Sequence, residues 1–472
     1  MTGYGKITDS IINELRTALG ENAVSLNAEK IAEYSHDEVP ANSYGKTYLG
    51  DVIIFAESTQ QVSAVMKLAS KYNIPVTCRG AGTGLSGGCV PAYGGIILSL
   101  EKMNRITELD EANLTITAEA GVITDEIVKL ARAHNLLYAG DPCSGDKSFI
   151  GGNIAENAGG NKVIKYGATG AQLLAAEAVL ADGTVTQFGG KRRKDVTGLD
   201  FVHLLAGSEG TLAIITKATL RLLPLPKYSA DILAEFEGAD TAMALVPKII
   251  AEAGLIPVSI EFMDKNSLNF VSRALQREVP ALNAGAALII QLEDNDKTRL
   301  EKDCANVADI AARYGAAKTS TAATEEEKAL LWTARKSIAD SVAKLCENYI
   351  KEDLVVPMDK VPELLASIER ACRKYQLEYS VYGHAGDGNM HCTLIGGTQK
   401  NWHERLREAQ KEIYADTKAL GGTLSGEHGI GLKRREYIKY FLDDAQIELI
   451  KRVKLAFDPQ NILNPGKIVE WE

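Results

Sequence analysis

The chain has no stretch approaching the roughly 20 apolar residues of a membrane span, which predicts no transmembrane segment. It has no C-x-x-C: Cys78, Cys89, Cys143, Cys304, Cys346, Cys372 and Cys392 are scattered and odd in number. That excludes an iron–sulfur motif and a disulfide framework, and reads as reduced thiols of a cytosolic protein. It has no basic excess either, with 52 Lys and Arg against 62 Asp and Glu and a net charge of −10. Nonspecific nucleic-acid binding is therefore not expected, and a mildly acidic surface points to no particular protein partner. The first residues, Met1-Thr2-Gly3-Tyr4-Gly5-Lys6-Ile7, lack the charged-then-apolar pattern of a signal peptide. No lipidation motif supports an anchor, so the expected location is the cytoplasm, with membrane association only through a partner. Internal repeats and low-complexity tracts are also missing. What remains is ordinary globular composition, 45% hydrophobic and 24% charged over 472 residues, enough for two to four domains.

Glycine, by contrast, is concentrated. Gly80-Ala81-Gly82-Thr83-Gly84-Leu85-Ser86-Gly87-Gly88 holds five glycines in nine positions, although glycine costs backbone entropy and packs nothing. The stretch follows an apolar strand, Tyr72 to Arg79, and leads into another, Gly94 to Leu100. Consecutive backbone N–H groups in such a turn form a concave nest for phosphate oxygens. A plain glycine-rich connection is the alternative. Gly82-Thr-Gly84-Leu-Ser-Gly87 also satisfies the G-x-G-x-x-G spacing of a dinucleotide fold, with Glu101 near the ribose-binding position, but that fingerprint needs a helix opening at the third glycine. Gly88, Pro91, Gly94 and Gly95 leave no room for one. The loop reads as a pyrophosphate cradle running from strand to strand.

Around the loop the pattern alternates. Residues 7–35 read as a helical entry with Ile11, Ile12, Leu15 and Leu19 inward. Asp51–Ala56 reads as a strand, Gln60–Lys71 as a helix with Val62, Val65, Met66 and Leu68 inward, and Leu114–Val122 as a strand. Thr124 is expected to cap a helix ending near Asn135. Ala175–Leu180 is a strand closed by the Asp182-Gly183-Thr184 turn. Pro224-Leu-Pro226 ends this half. Beyond it, strands are expected over 230–235, 257–262, 287–293, 354–357 and 378–383, and helices over 241–253, 297–314, 324–348 and 361–375, an antiparallel sheet covered by helices. Residues from Asp444 form a final helix followed by Asp458 to Lys467.

Several blocks resemble one family. Arg79 to Gly88 resembles the pyrophosphate loop of FAD-linked oxidases of the vanillyl-alcohol oxidase/p-cresol methylhydroxylase fold. Asp141-Pro142-Cys-Ser with Ile150-Gly-Gly-Asn153-Ile-Ala-Glu-Asn157-Ala-Gly-Gly160 resembles the second flavin block, and Gly207-Ser-Glu209-Gly210-Thr-Leu-Ala-Ile-Ile215-Thr the third. Gly383-His384-Ala-Gly-Asp387-Gly-Asn-Met-His391, Ser425-Gly-Glu427-His428-Gly429 and Phe457 to Lys467 are similar to the D-2-hydroxyacid dehydrogenase branch, which includes D-lactate dehydrogenases and the flavin subunit of glycolate oxidase. The resemblance covers nearly the whole chain. It implies an α+β protein with a two-part FAD-binding domain over 1–226, a substrate (cap) domain with an antiparallel sheet over 227–420, and a segment 421–472 that completes the active site and packs back on the FAD domain. The cofactor contacts it implies are Arg79, Gly80, Ala81, Gly82, Thr83, Gly84, Ser86 and Gly87, then Asp141, Pro142, Ser148, Gly151, Gly152, Asn153, Asn157, Gly160 and Tyr166, then Glu209, Gly210, Ile215 and Asn464. Relatives that attach FAD covalently often carry a histidine in the first loop. Here Gly82-Thr83-Gly84 stands instead, so noncovalent FAD is expected. Gly151, Gly152, Gly159 and Gly160 suit backbone meeting a flat ring, with Asn153 and Asn157 as amide donors or acceptors.

His384 and His391 lie seven apart across a turn-forming Ala-Gly-Asp-Gly-Asn. A hairpin would set both imidazoles side by side, as two ligands of one metal or as turn-capping or core histidines. Glu427 would complete a two-histidine, one-carboxylate set for a divalent metal, zinc first, with iron or manganese as alternatives. Asp387 reads as a turn residue. In the mechanism this implies, a 2-hydroxy acid binds the metal, His428 takes the hydroxyl proton, and the α-hydrogen leaves as hydride to flavin N5. The resemblance assigns Arg335 and Lys351 to the substrate carboxylate, against solvated surface charges as the plain reading. Some relatives carry a hydroxyl residue at the position of Ala339 and an asparagine at that of Thr393, so a small acid such as lactate or glycolate is expected rather than 2-hydroxyglutarate. Electrons then pass to a quinone, an electron-transfer flavoprotein or another redox subunit. Rival readings are an alkyl-transferring ether-lipid synthase, usually longer and with a targeting segment, a metal hydrolase without flavin, and a flavin subunit serving only as a relay.

Overall fold

A computed structural model describes residues 3–39, 41–44, 46–322, 324–398 and 400–471. The chain forms two compact units. One comprises residues up to Gly159, Gly167–Leu225 and the chain from Glu427 onward; the other comprises Gly160–Tyr166 and Pro226–Gly426.

The first unit holds two sheets. Val24–Ser25, Val52–Phe55, Ile96–Ser99 and Val76–Arg79 lie in that order, the last three mutually parallel. Val52, Ile53 and Ile54 are wholly buried, the continuous apolar run that a strand covered on both faces requires. The Thr59–Tyr72 helix covers one face with Val62, Val65, Met66 and Ala69. Ser58 caps its start by accepting from Gln61 N–H, and Asn73 ends it at φ +52°. No helix intervenes between Arg79 and Ile96, as the glycines require. The second sheet is antiparallel, ordered Ile106–Asp110, Thr115–Glu119, Ile214–Arg221, Leu173–Val179, Val185–Gly189.

The second unit is built on one seven-stranded antiparallel sheet, ordered Lys318–Ala322, Tyr228–Phe236, Ala286–Asp294, Ser259–Asp264, Glu378–His384, Asn389–Ile395, Tyr349–Val355. The helices Lys265–Leu275, Glu325–Lys336 and Ile338–Leu345 pack Leu268, Val271, Leu331, Ala334 and Ile338 with Met263 and Tyr382 on one face. The opposite face includes Glu352, bound by Gln410 and Tyr414 of the Trp402–Ala419 helix. Among the described residues no helix is long and apolar enough to cross a membrane.

Some expectations need correction. The helical entry over 7–35 breaks at Gly20, φ +89°, and restarts at Ala28 under an Asn27 cap. The expected strand from Tyr72 begins only at Val76, because the helix runs through Tyr72. Thr124 is the first helical residue and not the cap; its hydroxyl turns inward and donates to Ser148 O at 3.1 Å. The single helix over 324–348 is two, divided at Ser337, which ends one and begins the next. Lys318–Ala322 escapes notice in the sequence because it is a polar edge strand.

The end of the chain is tied down by Lys454. Its ammonium is buried and donates to Thr211 O at 2.7 Å, Leu463 O at 2.8 Å and the Asp458 carboxylate. Lys454→Met strands a fully buried carboxylate, and unfolding should become easier by about 3–5 kcal/mol in a denaturant titration. Adding Asp458→Asn should recover part of that loss.

Candidate functional site

The glycine loop is held by its carbonyls and offers its amides. Gly84 O accepts from Glu38 N–H, Ser86 O from Leu432 and Lys433 N–H, Gly87 O from Val90 N–H, and Gly88 O from Asn464 Nδ2. Among the described residues nothing accepts from the amides of Gly82 to Ser86, and Ser86 Oγ is buried with no protein partner. Such a run of unused donors fits phosphate oxygens. Arg79 folds beneath the loop: its guanidinium donates to His36 O at 2.5 Å and lies 4.9 Å over the Tyr34 ring. Gly82 has φ +78°, and a Cβ there would stand 2.2 Å from Arg79 Nη2.

The other cofactor-assigned residues divide by task. Pro142 O closes a turn with Gly145 N–H, and Ser148 O accepts from both the amide and the hydroxyl of Thr124. The half-buried Asp141 precedes that turn. Gly151 packs on Ala120, where a Cβ would come within 2.6 Å, whereas Gly152 faces open space. Asn153 donates to Thr124 Oγ1 at 2.5 Å; Asn157, at φ +52°, caps the Ile150–Glu156 helix and accepts from Gly170 N–H. These asparagines thus brace the block. Gly160 and Tyr166 lie in the second unit, where the Tyr166 hydroxyl donates to Glu293.

Glu209 and Asn464 form a buried polar junction. The two Glu209 oxygens accept from Ile430 and Gly431 N–H, each at 2.7 Å. Asn464 Nδ2 donates to Gly88 O and Glu209 O, its amide donates to Val76 O, and its Oδ1 accepts from Lys467 Nζ. Gly210, at φ +66°, and the buried Ile215 continue this strand-entering turn. Sequence reasoning missed three further members. Asp37 Oδ2 accepts from Gly87 N–H at 2.7 Å, and burial pushes its carboxyl up to about 6. Burial lowers Lys467 to about 8. Glu156 is raised well above the usual carboxylate range by burial and then by the charge of Glu209. Glu156 lies inside the Ile150–Gly160 motif and Lys467 inside the Phe457–Lys467 motif, whereas Asp37 carries no local signal.

In the second unit the strand register assembles one face. Glu261 pairs with His384, His384 with Asn389, Tyr382 with His391, His391 with Asp353, and Thr393 with Lys351. Directly paired residues point the same way, so Glu261, His384, Tyr382, His391, Asp353 and Lys351 share that face. His384 and His391 are buried, with their Nε2 atoms 3.4 Å apart. His384 Nδ1 lies 2.8 Å from Glu261 Oε1, and His391 Nδ1 lies 3.5 Å from Asp353 Oδ1. Asp353 is itself held by Asn389, Ser425 and Gly426 N–H. Two imidazoles whose Nδ1 atoms meet carboxylates turn both Nε2 positions toward one point, a donor pair that fits a divalent cation. Asp387 is a turn residue, accepting from Asn389 N–H. Arg335 is buried against Glu261 at 2.7 Å and over the Tyr382 ring, and Lys351 is half-buried beside Tyr349.

Glu427 and His428 open the returning segment of the first unit, one peptide bond beyond Gly426. A Cβ at Gly159 would stand 2.4 Å from Glu427 Oε2, so the bare glycine makes room for that carboxylate. His428 Nε2 lies 4.0 Å from Glu427 Oε1.

Comparison with known proteins matches two families in turn, the second running on through the returning segment of the first unit. Residues 50–189 match a family described as "FAD binding domain", and residues 225–468 match "FAD linked oxidases, C-terminal domain". The glycolate oxidase subunit GlcD of Bacillus subtilis is 38% identical over 464 residues, covering 98% of this chain and 97% of that protein. A D-lactate dehydrogenase of Anaerostipes hadrus is 33% identical over 473 residues, covering 98% of each. Among solved structures, p-cresol methylhydroxylase with substrate bound has a TM-score of 0.79 at 18% identity, covering 98% of this chain and 96% of that one. An alkyldihydroxyacetonephosphate synthase reaches 0.77 at 17% identity, covering 98% and 86%. At such identities these two establish the fold alone, which is the one the motifs imply. The match to a FAD-binding family removes the reading as a flavin-free hydrolase.

Two substitutions test the loop. Gly82→Ala forces a side chain into the left-handed region, at roughly 1–2 kcal/mol, and displaces Arg79; it should purify with little flavin absorbance. Glu209→Gln offers one acceptor to two amides and should lower both the melting temperature and the flavin content.

Proposed function

The chain belongs to the FAD-linked oxidase family, and from that premise we propose that it is a dehydrogenase of small D-2-hydroxy acids, D-lactate first and glycolate next. The observation that carries this reading is the facing pair of buried imidazoles on the sheet face that also bears Lys351. The named activities of the D-lactate dehydrogenase and glycolate oxidase relatives support the substrate class.

In this proposal FAD is held noncovalently by the glycine loop, and a divalent metal, zinc first, is held by His384, His391 and Glu427. Bound FAD supplies the acceptor that takes the α-hydrogen as hydride, and a bound divalent cation supplies the Lewis acidity that eases ionisation of the substrate hydroxyl. His428 accepts the hydroxyl proton at an imidazole nitrogen. Arg335 and Lys351 supply positive charge for the substrate carboxylate. Each turnover releases a 2-oxo acid, two protons (one from the hydroxyl, one carried in the hydride) and two electrons. The electrons go to a separate acceptor, an electron-transfer flavoprotein, another redox subunit or a quinone; the GlcD relative's name, a subunit, supports a redox partner. The proposed setting is the cytoplasm.

Anaerobic titration with D-lactate, L-lactate, glycolate and D-2-hydroxyglutarate tests the reading. D-lactate should bleach the flavin band, and D-2-hydroxyglutarate should show the lower kcat/KM. A flavoprotein that none of the four bleaches overturns the substrate class. His428→Gln should keep its flavin and lose roughly 10²–10⁴-fold in kcat. Chelation should abolish bleaching, and added zinc should restore it.

A further inference from the structure

Glu261 takes no part in the chemistry described above, yet it is wholly buried on the face that carries the histidine pair. A carboxylate so enclosed is tolerated only when both oxygens are served. Here they serve different partners. Oε1 lies 2.8 Å from His384 Nδ1, and Oε2 lies 2.7 Å from Arg335 Nη2. The guanidinium continues over the Tyr382 ring at 4.8 Å, and that ring packs against His391 at 5.3 Å. The Arg335 guanidinium beside Oε2 is the opposite charge that balances this buried carboxylate.

The arrangement decides which nitrogen of His384 is available. An imidazole that donates its Nδ1–H to a carboxylate keeps the lone pair on Nε2. That Nε2 is the atom 3.4 Å from His391 Nε2. A neutral amide cannot replace the carboxylate: glutamine has one acceptor and one donor, so whichever way it turns, its NH₂ meets either the guanidinium or the imidazole N–H.

We propose that Glu261 is a positioning residue of the metal site, holding His384 as the Nδ1–H tautomer with Nε2 presented, and that Arg335 is the counter-ion that keeps this carboxylate in place. The inference rests on the reading of His384 and His391 as metal ligands. It gives Arg335 a task apart from the substrate carboxylate.

The test is zinc affinity of the FAD-loaded protein, measured by competition with a chromogenic chelator, for wild type, His384→Ala, Glu261→Gln and Glu261→Gln/Arg335→Met. Glu261→Gln should bind zinc 10–100-fold more weakly with its flavin content unchanged. The double variant should bind zinc more tightly than Glu261→Gln, because without the cation the amide can turn its oxygen to His384. If Glu261→Gln alone does not fold, Arg335→Met should relieve the clash of donors, and the double variant, compared with wild type, should then lose less than about 10-fold in zinc affinity; a larger loss overturns the role given to Arg335. Zinc affinity within twofold of wild type in Glu261→Gln, with His384→Ala impaired, overturns the role of Glu261 and leaves the metal reading standing. A double variant weaker than Glu261→Gln overturns the role given to Arg335. Unchanged affinity in His384→Ala overturns the metal reading and this inference with it.

Discussion

The flavin unit depends on one requirement: a loop made mostly of glycine has no side chains to pack, so its shape must be imposed on its backbone from outside. The junction around Glu209 and Asn464 does this. Asn464 reaches Val76 O, Gly88 O and Glu209 O, while the Glu209 carboxylate holds the amides of Ile430 and Gly431. Each bond satisfies a buried group that would otherwise cost about 1–3 kcal/mol. The result is polar asymmetry. Carbonyls of the loop are spent on the protein, and amides from Gly82 to Ser86 are left for an anion.

The second unit reaches its organisation by a different route. Strand period alone, two residues, puts Lys351 with Asp353, Tyr382 with His384 and His391 with Thr393 on a common face. No loop has to be trained into place. The opposite face is free to bury Glu352 against Gln410 and Tyr414, which anchors the Tyr349–Val355 strand from behind. Precision at the histidine pair therefore comes from sheet register.

What could be read from residues alone follows the range of the interactions. The buried strand Val52–Phe55, the Thr59–Tyr72 helix and the hairpin joining His384 to His391 were legible because composition and turn chemistry act within a few positions. Breaks that hinge on a single residue, at Gly20 and Ser337, were lost inside longer helical patterns. Glu261 was invisible: its partner His384 lies 123 positions away, and a lone acid in an apolar strand carries no mark of its role. Asn153 and Asn157 show a second limit of range. The motif that holds them is legible, but their bonds to Thr124 and Gly170, 29 and 13 positions away, are not.

The connectivity of the first unit bears on how it is made. The glycine loop leaves the ribosome well before the groups that shape it, Ile430 to Lys433 and Asn464 to Lys467, have been synthesised. A nascent chain carrying the loop, the five-stranded sheet and the whole second unit still has no finished cradle. The loop therefore takes its final shape only after these residues have been made, and a message cut short before Asn464 encodes the loop without the side chain that holds Gly88 O and Glu209 O.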